Sequence, residues 1–322
     1  MKAVVYRKYG TPDVLKLEEV ETPSPKDNEV LVKVHATAVN SWDWDLLRGS
    51  PFLVRLMGGG ISKPKLNILG CDVAGTVEEV GKKITQFNVG DQVFGDLSGG
   101  KWGGFAEYAI GREKELILKP KGVSFEQAAS LPQAAVMALQ GIRDHGKVKS
   151  MDKVLINGAG GGIGSFALQM AKKAGAEITG VDSVDKFDLM KSLGADYVID
   201  YQEEDFTKNG LQYDLILDVV GHHSIFDYKK VLAPNGMYRM IGGPTPLIFQ
   251  SVFLAPFLTI FNKKKMGILA QETNKDLAYL AELVETGKLN PIIDKVFPLE
   301  QTADALQYLG EGKALGKVVI TI

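Results

Sequence analysis

Lys153-Val-Leu-Ile-Asn157 runs at once into Gly158-Ala159-Gly160-Gly161-Gly162-Ile163-Gly164, and Ser165-Phe-Ala-Leu-Gln-Met-Ala-Lys-Lys173 follows. A short apolar run, a cluster of small residues and an amphipathic segment predict a strand, a tight turn and a helix. Small residues let such a turn close and let backbone N–H groups approach a pyrophosphate. The last glycine, Gly164, lets the helix pack closely on the strand, and the helix N-terminus adds its partial positive charge. A glycine-rich string alone is weak evidence, but strand, glycines and helix in one βαβ unit are strong. The stretch predicts a phosphate-binding turn for a dinucleotide, with Ala159, Gly160, Gly161, Gly162 and Ile163 nearest the ligand.

Downstream, Ile178–Val181 ends at Asp182-Ser183. An acidic residue at this distance from the turn accepts hydrogen bonds from ribose hydroxyls, which favours NAD(H). Lys186 and Tyr201 pull the other way, because both suit a ribose 2′-phosphate, although an exposed lysine in the first turn of a helix is ordinary. Further apolar runs at Tyr197–Ile199, Leu215–Val220 and Met237–Ile241 alternate with amphipathic segments such as Phe166–Ala174 and Lys186–Leu193. Such alternation predicts a parallel sheet covered by helices on both faces, a doubly wound Rossmann arrangement.

Upstream the grammar differs. Lys2–Tyr6, Glu29–Thr37, Ala74–Glu79, Gln92–Phe94 and Phe105–Ile110 are short strand-like runs punctuated by Gly, Pro and Asn, which suits a compact β-rich, barrel-like domain. It ends near Pro120, and Ser124 with Glu126 and Gln127 marks a helix start. The tail holds helix-like runs at Asn274–Thr286 and Gln301–Gly310 and a last strand, Lys317–Ile322, which is expected to return to the first domain. The organisation is therefore residues 1–122, an inserted nucleotide domain at 123–267, and a return segment at 268–322.

At 322 residues the chain suits two domains. Its net charge of −2 offers no global field for nucleic acid or an anionic membrane. The single cysteine, Cys71, excludes a disulfide framework or a four-cysteine zinc site within the chain and fits a reducing, cytoplasmic setting. The first strand pattern begins at Lys2, so no signal peptide is expected. Pro246–Phe261 is the most apolar stretch, but it is interrupted by Pro256 and is too short for a membrane span. Burial against a substrate cleft or a partner subunit is the favoured reading, with surface anchoring beside Lys263-Lys-Lys265 as the alternative.

The chain resembles the zinc-independent medium-chain dehydrogenase/reductases of the quinone oxidoreductase and enone reductase type. The resemblance rests on Ala38-Val-Asn-Ser-Trp-Asp-Trp44, Leu69-Gly-Cys-Asp-Val-Ala-Gly-Thr-Val-Glu-Glu-Val-Gly81, Val89-Gly-Asp-Gln-Val-Phe94, the glycine turn, Leu193-Gly-Ala-Asp-Tyr-Val-Ile-Asp-Tyr201 and Gly316-Lys-Val-Val-Ile320. It implies a Rossmann domain inserted into a β-rich GroES-like catalytic domain, with the nicotinamide in the cleft between them, and a homodimer. Zinc-dependent members carry a cysteine where this chain has Asn40, a histidine at Cys71, a glutamate at Asp72 and a third ligand near Gln133, so a site without a metal is implied. Cys71 then reads as a buried small hydrophobe. The resemblance places Asn40 at a substrate carbonyl and Asp43 beside it, where a structural capping role for Asp43 is equally open. Such relatives tend to have a tyrosine at Asp45. Trp42 and Trp44 read either as pocket walls or as core.

By the same resemblance, Val219, Val220, Gly242, Gly243 and Lys317 join Asp182, Ser183, Lys186 and Tyr201 as cofactor contacts. Relatives that prefer NADPH often have a small residue at Asp182, so the cofactor is NAD(P)H with a slight lean to NADPH. None of the four histidines reads as catalytic; His222 and His223 make a poor metal pair if they sit on a strand, where neighbours face opposite sides. The expected function is NAD(P)H-dependent hydride transfer to a quinone or α,β-unsaturated carbonyl. An NAD(P)-dependent alcohol dehydrogenase and a non-catalytic cofactor-binding redox sensor are the alternatives.

Overall fold

The computed structural model describes residues 1–56, 60–260 and 263–322. The chain forms two compact units, one of residues 1–136 with 272–322 and one of residues 137–271.

The first unit opens with β1 (Lys2–Val5), β2 (Lys16–Glu19), β3 (Glu29–Val39), β4 (Asp72–Val80), β5 (Gln92–Asp96), β6 (Tyr108–Arg112) and β7 (Ile117–Leu118). The 11-residue β3 organises it, pairing antiparallel with β4 along one edge and with β6 on the other. Its alternate residues Val30, Val32 and Val34 enter a core with Val73, Val77, Val93 and Leu116 from one face, and most of the other face is buried as well. Ser124 caps the next helix, accepting from the amide of Gln127, as the sequence predicts.

The second unit carries β8 (Lys153–Asn157), β9 (Glu177–Asp182), β10 (Tyr197–Asp200), β11 (Tyr213–Asp218), β12 (Leu232–Met240) and β13 (Lys265–Ile268). They form one parallel sheet in the order β10-β9-β8-β11-β12-β13. The strand order reverses between β8 and β11, which is where doubly wound sheets open a ligand crevice at the strands' C-terminal ends.

The chain then returns to the first unit through β14 (Ile293–Pro298) and β15 (Lys317–Thr321). The expected return strand is β15: it pairs antiparallel with β3 in the register Val318 opposite Val39, and parallel with β14. That register sets Lys317 beside the end of β3 and Asn40. Short strands such as β2, β13 and β14 escape the sequence reading, since four to six residues with mixed polarity carry little periodicity.

The apolar Pro246–Phe261 run is helical: Thr245–Phe249 continues through a π-helical turn, Gln250–Leu254, into Ala255–Ile260. Phe261 lies outside the described residues. Leu247, Ser251 and Ala255 are buried, whereas Phe249, Phe253 and Phe257 are exposed in this chain. No helix among the described residues is long and apolar enough to cross a membrane.

Candidate functional site

In the second unit, β8 delivers the chain to the glycine turn. The amides of Gly158 and Ala159 donate to the carbonyl of Val181 at 2.9 and 3.1 Å, which ties the turn to the end of β9. The close approach demanded of Gly164 is real: a Cβ there would lie 2.2 Å from the Gly158 carbonyl oxygen and 2.5 Å from Ala159 Cα. Gly162 begins a helix that runs to Lys173, so the first amides of that helix have no acceptor within it. A cradle of small residues at a helix N-terminus fits a pyrophosphate.

Asp182 sits at the end of β9 and is buried with Lys186. Its Oδ2 accepts from the amide of Gly160 at 2.9 Å, and its Oδ1 accepts from the amide of Ser183 at 3.0 Å. The Lys186 ammonium lies 3.2 Å from Oδ1. The expectation of an ordinary exposed lysine therefore fails. A 3₁₀ turn, Val184–Lys186, precedes the helix and folds the side chain back over the glycine turn. A Cβ on Gly160 would meet Lys186 Cδ at 2.6 Å. The aliphatic stem of Lys186 thus covers the turn while its charge neutralises the carboxylate that braces it.

Opposite, the Asn157 amide joins the ends of β8 and β11, with Nδ2 donating to Asp218 Oδ1 at 2.8 Å and to the Val220 carbonyl at 3.0 Å. The Tyr238 hydroxyl donates to Asp218 Oδ2 at 2.8 Å. Burial nonetheless raises the Asp218 carboxyl above its usual range, against these hydrogen bonds. This network holds Val219 and the exposed Val220 at the crevice edge, and the Gly221 amide donates to the Gly242 carbonyl at 2.9 Å, bringing Gly242 and Gly243 alongside. Tyr201 follows Asp200, which is in register with Asp182, and is half-exposed. The structure thus sets the predicted cofactor residues of the second unit at the C-terminal ends of neighbouring strands. It joins Asn157, which opens the turn, to Asp218, which the resemblance sets under the cofactor, and adds Tyr238 from within β12.

His222 and His223 follow β11 in a loop, with ring centroids 4.1 Å apart. They do not face opposite sides of a strand, because β11 has already ended at Asp218. His223 packs against Phe206 and Tyr228, with Nε2 3.6 Å from Asp205 Oδ1. His35 lies against Phe125, with Nε2 3.0 Å from Thr76 Oγ1.

In the first unit, Asn40 caps the helix Ser41–Arg48. Asp43 completes that cap: its Oδ2 accepts from the Asn40 amide at 2.8 Å and its Oδ1 accepts from the Gly70 amide at 2.9 Å. Both oxygens hold backbone, the structural half of the open reading. Burial pushes its carboxyl up to about 7. Asn40 itself is buried. Lys317 Nζ donates to its Oδ1 at 2.5 Å and to the Val39 carbonyl at 3.3 Å, while Nδ2 donates to Asp72 Oδ2 at 3.1 Å and to the Ala38 carbonyl at 3.3 Å. Lys317 is buried too, so it contacts Asn40 and Asp72 rather than presenting an open ammonium. Trp44 packs on the core: a Cβ on Gly310 would meet its ring at 2.4 Å. Trp42 lines the same core partly buried.

Cys71 Sγ and the carboxylates of Asp72 and Asp96 lie within 4.8 Å of one another, all buried. A zinc ion does not fit them. The Lys317 ammonium stands 4.0 Å from Asp72 Oδ2 and already supplies a cation. Burial and the neighbouring carboxylates push the Cys71 thiol well up, against the thiolate that zinc requires.

The "Alcohol dehydrogenase GroES-like domain" family matches residues 26–121, and the "Zinc-binding dehydrogenase" family matches residues 193–320. A 2-methylene-furan-3-one reductase of Solanum lycopersicum is 35% identical over 99% of this chain and 79% of its own length. An NADPH-dependent alkenal/one oxidoreductase of Arabidopsis thaliana is 34% identical over 99% and 79%. The quinone oxidoreductase of Coxiella burnetii superposes with a TM-score of 0.89 at 32% identity, covering 100% of this chain and 99% of that one. With a GroES-like unit, a Rossmann unit and an ammonium among the carboxylates at the zinc position, the chain belongs to the zinc-independent medium-chain dehydrogenase/reductases of the quinone oxidoreductase and enone reductase type.

Proposed function

We propose that the protein is an NAD(P)H-dependent reductase of quinones or α,β-unsaturated carbonyl compounds. The observation that carries this reading is the pairing of a built phosphate turn, Gly158–Gly164, with a catalytic unit whose zinc position is filled by Asn40, Asp72 and Lys317. The relatives named above as an enone reductase and as alkenal/one and quinone oxidoreductases support it.

The reduced nicotinamide, when bound, supplies hydride to the electron-poor carbon. The chain's residues bind and orient. Backbone amides at the start of the Gly162–Lys173 helix take the pyrophosphate, and Val219, Val220, Gly242 and Gly243 border the nicotinamide half. Asn40 or backbone N–H groups stabilise the charge developing on the substrate oxygen, Asn40 by turning an Nδ2 hydrogen from its present partner, Ala38 or Asp72, and Asp43 holds the helix start that carries it. Lys317 polarises the Asn40 amide from its oxygen side, which strengthens the Nδ2 donor. Water supplies the proton. A homodimer belongs to the same proposal, with a scattering mass of two chains as its test.

Of the two dinucleotides NADPH takes a slight lead. Lys186 and Tyr201 lie beyond the β9 and β10 ends, and one relative is named as NADPH-dependent. Asp182 repels a 2′-phosphate, but Lys186 offsets that charge. Separate fluorescence titrations with NADH and NADPH, followed by turnover against a panel of enones and quinones, test the reading. Turnover of at least one class is expected; tight cofactor binding with no turnover of any would reject it. Asp182→Gly is expected to shift the affinity ratio toward NADPH while weakening both, because the turn loses its brace. An unchanged ratio would show that the carboxylate does not face the ribose.

A further inference from the structure

The hydrogen-bond donors around Asn40 are unequally committed. A side-chain amide has two N–H groups and an ammonium has three. Asn40 Nδ2 already has its acceptors, Asp72 Oδ2 at 3.1 Å and the Ala38 carbonyl at 3.3 Å, with Cys71 Sγ at 3.6 Å besides. Lys317 Nζ has two, Asn40 Oδ1 at 2.5 Å and the Val39 carbonyl at 3.3 Å. For its third N–H the described residues offer only Asp72 Oδ2 at 4.0 Å, an ion contact too long for a hydrogen bond. That oxygen is supplied instead by Asn40 and by the Gln133 amide at 3.3 Å.

Lys317 and Asn40 are 2% and 7% exposed. Both donors therefore stand in dry surroundings, where a bond to developing charge is strong. A substrate oxygen drawn to Asn40 comes within reach of Lys317, because the two side chains touch. The titratable groups acting on the ammonium are Asp72 and Cys71 at the start of β4, Asp43 on the Ser41–Arg48 helix and Asp96 in β5. Burial lowers Lys317 below the ordinary lysine value, and these four acids oppose the shift. The group releases a proton more readily than a surface lysine does, while the acids favour its charged form.

We infer that Lys317 is the proton donor of the reaction: its third N–H bonds the substrate carbonyl oxygen and passes its proton there as hydride reaches the β-carbon. The inference rests on the reductase reading above. The hydride pair makes the new C–H bond at the β-carbon. The carbon–carbon π pair moves between the α-carbon and the carbonyl carbon, and the carbonyl π pair takes the proton. The N–H bond breaks as the O–H bond forms, leaving a neutral amine and an enol. The enol returns to the ketone in water, and the amine recovers its proton from water. Water remains the source of the proton and Lys317 is its carrier. An arginine at this position would keep the charge but not the step, because a guanidinium does not release its proton in a protein.

Reduction of an enone by NADPH across pH, with the full chain, tests this. The native rate is expected to fall as pH rises through the ionisation of the ammonium. Lys317→Arg should lower kcat on the order of a hundredfold and abolish that alkaline fall, with folding checked by a denaturant melt. Asp72→Asn removes an acid that holds the proton on Lys317, so its alkaline fall should begin at lower pH. Lys317→Met/Asp72→Asn strands no charge and carries the test should the arginine variant not fold. It should lose rate on the order of a hundredfold and, without cofactor, bind the enone about tenfold more weakly by tryptophan fluorescence. A folded Lys317→Arg variant with the native kcat and pH profile would overturn the inference, and so would a double variant with native enone affinity. An inactive native chain would reject the reductase reading and this inference with it, whereas an active native chain with indifferent Lys317 variants rejects the inference alone.

Discussion

Among the described residues each unit buries one lysine beside aspartate, and the two sites are built differently. In the nucleotide unit, Lys186 and Asp182 form a closed one-to-one pair, and Asp182 has two backbone amides besides. In the catalytic unit, Lys317 is the cation among Asp43, Asp72 and Asp96, and burial drives Asp72 well above the usual carboxylate range while it lowers Lys317. The first pair shapes a loop and can lose its ammonium while backbone donors still hold the carboxylate. The second neutralises a cluster and positions a side-chain amide, and its loss leaves Asp72 with the longer bonds from Asn40 Nδ2 at 3.1 Å and the Gln133 amide at 3.3 Å.

The largest effect is therefore expected at Lys317. Lys317→Met should cost about 3–5 kcal/mol of stability, the usual range for stranding a buried charge. Adding Asp72→Asn should recover a substantial part. Denaturant melts of the two variants give the comparison, and a double variant no more stable than the single would show that the lysine does not neutralise Asp72. Lys186→Met is expected to cost less, about 1–2 kcal/mol, since Asp182 keeps its amide donors. Equal losses at the two lysines would erase the distinction drawn here.

A pH-dependent effect belongs to Asp45, whose carboxyl burial pushes up to about 7 while Arg48 opposes. The folded chain thus holds this proton more tightly than the unfolded chain, where the value is near 3.8. The associated stability is fully present below about pH 4 and is lost as pH rises through about 7. Asp45→Asn should therefore leave stability almost unchanged at pH 4, raise it at pH 8, and flatten the slope between. A parallel shift at all pH values would mean that Asp45 titrates alike in both states.

The contrast between the pairs also marks how far the sequence is readable. The alternation of apolar runs and amphipathic segments after Lys153 gives the parallel sheet, because both periodicities are local. The glycine turn is legible for the same reason: every residue it needs is contiguous. The return of Lys317–Ile322 to the first unit is visible as a strand, but not its register, which alone places Lys317 on Asn40. Burial of Lys186 depends on a 3₁₀ turn that carries no composition signal, and the ring contact of His222 with His223 depends on where β11 stops. Position along the chain nominates the proposed cofactor residues; which of them are already committed to one another is a tertiary fact.

The central claim is hydride transfer from a nicotinamide without a metal. Its most direct test is reduction of an enone with NADPH carrying deuterium at the transferable nicotinamide position, run in the presence of a chelator. The account predicts a saturated product with deuterium at its β-carbon and a rate unchanged by the chelator. A product without deuterium, or activity abolished by chelation and restored by zinc, would contradict it.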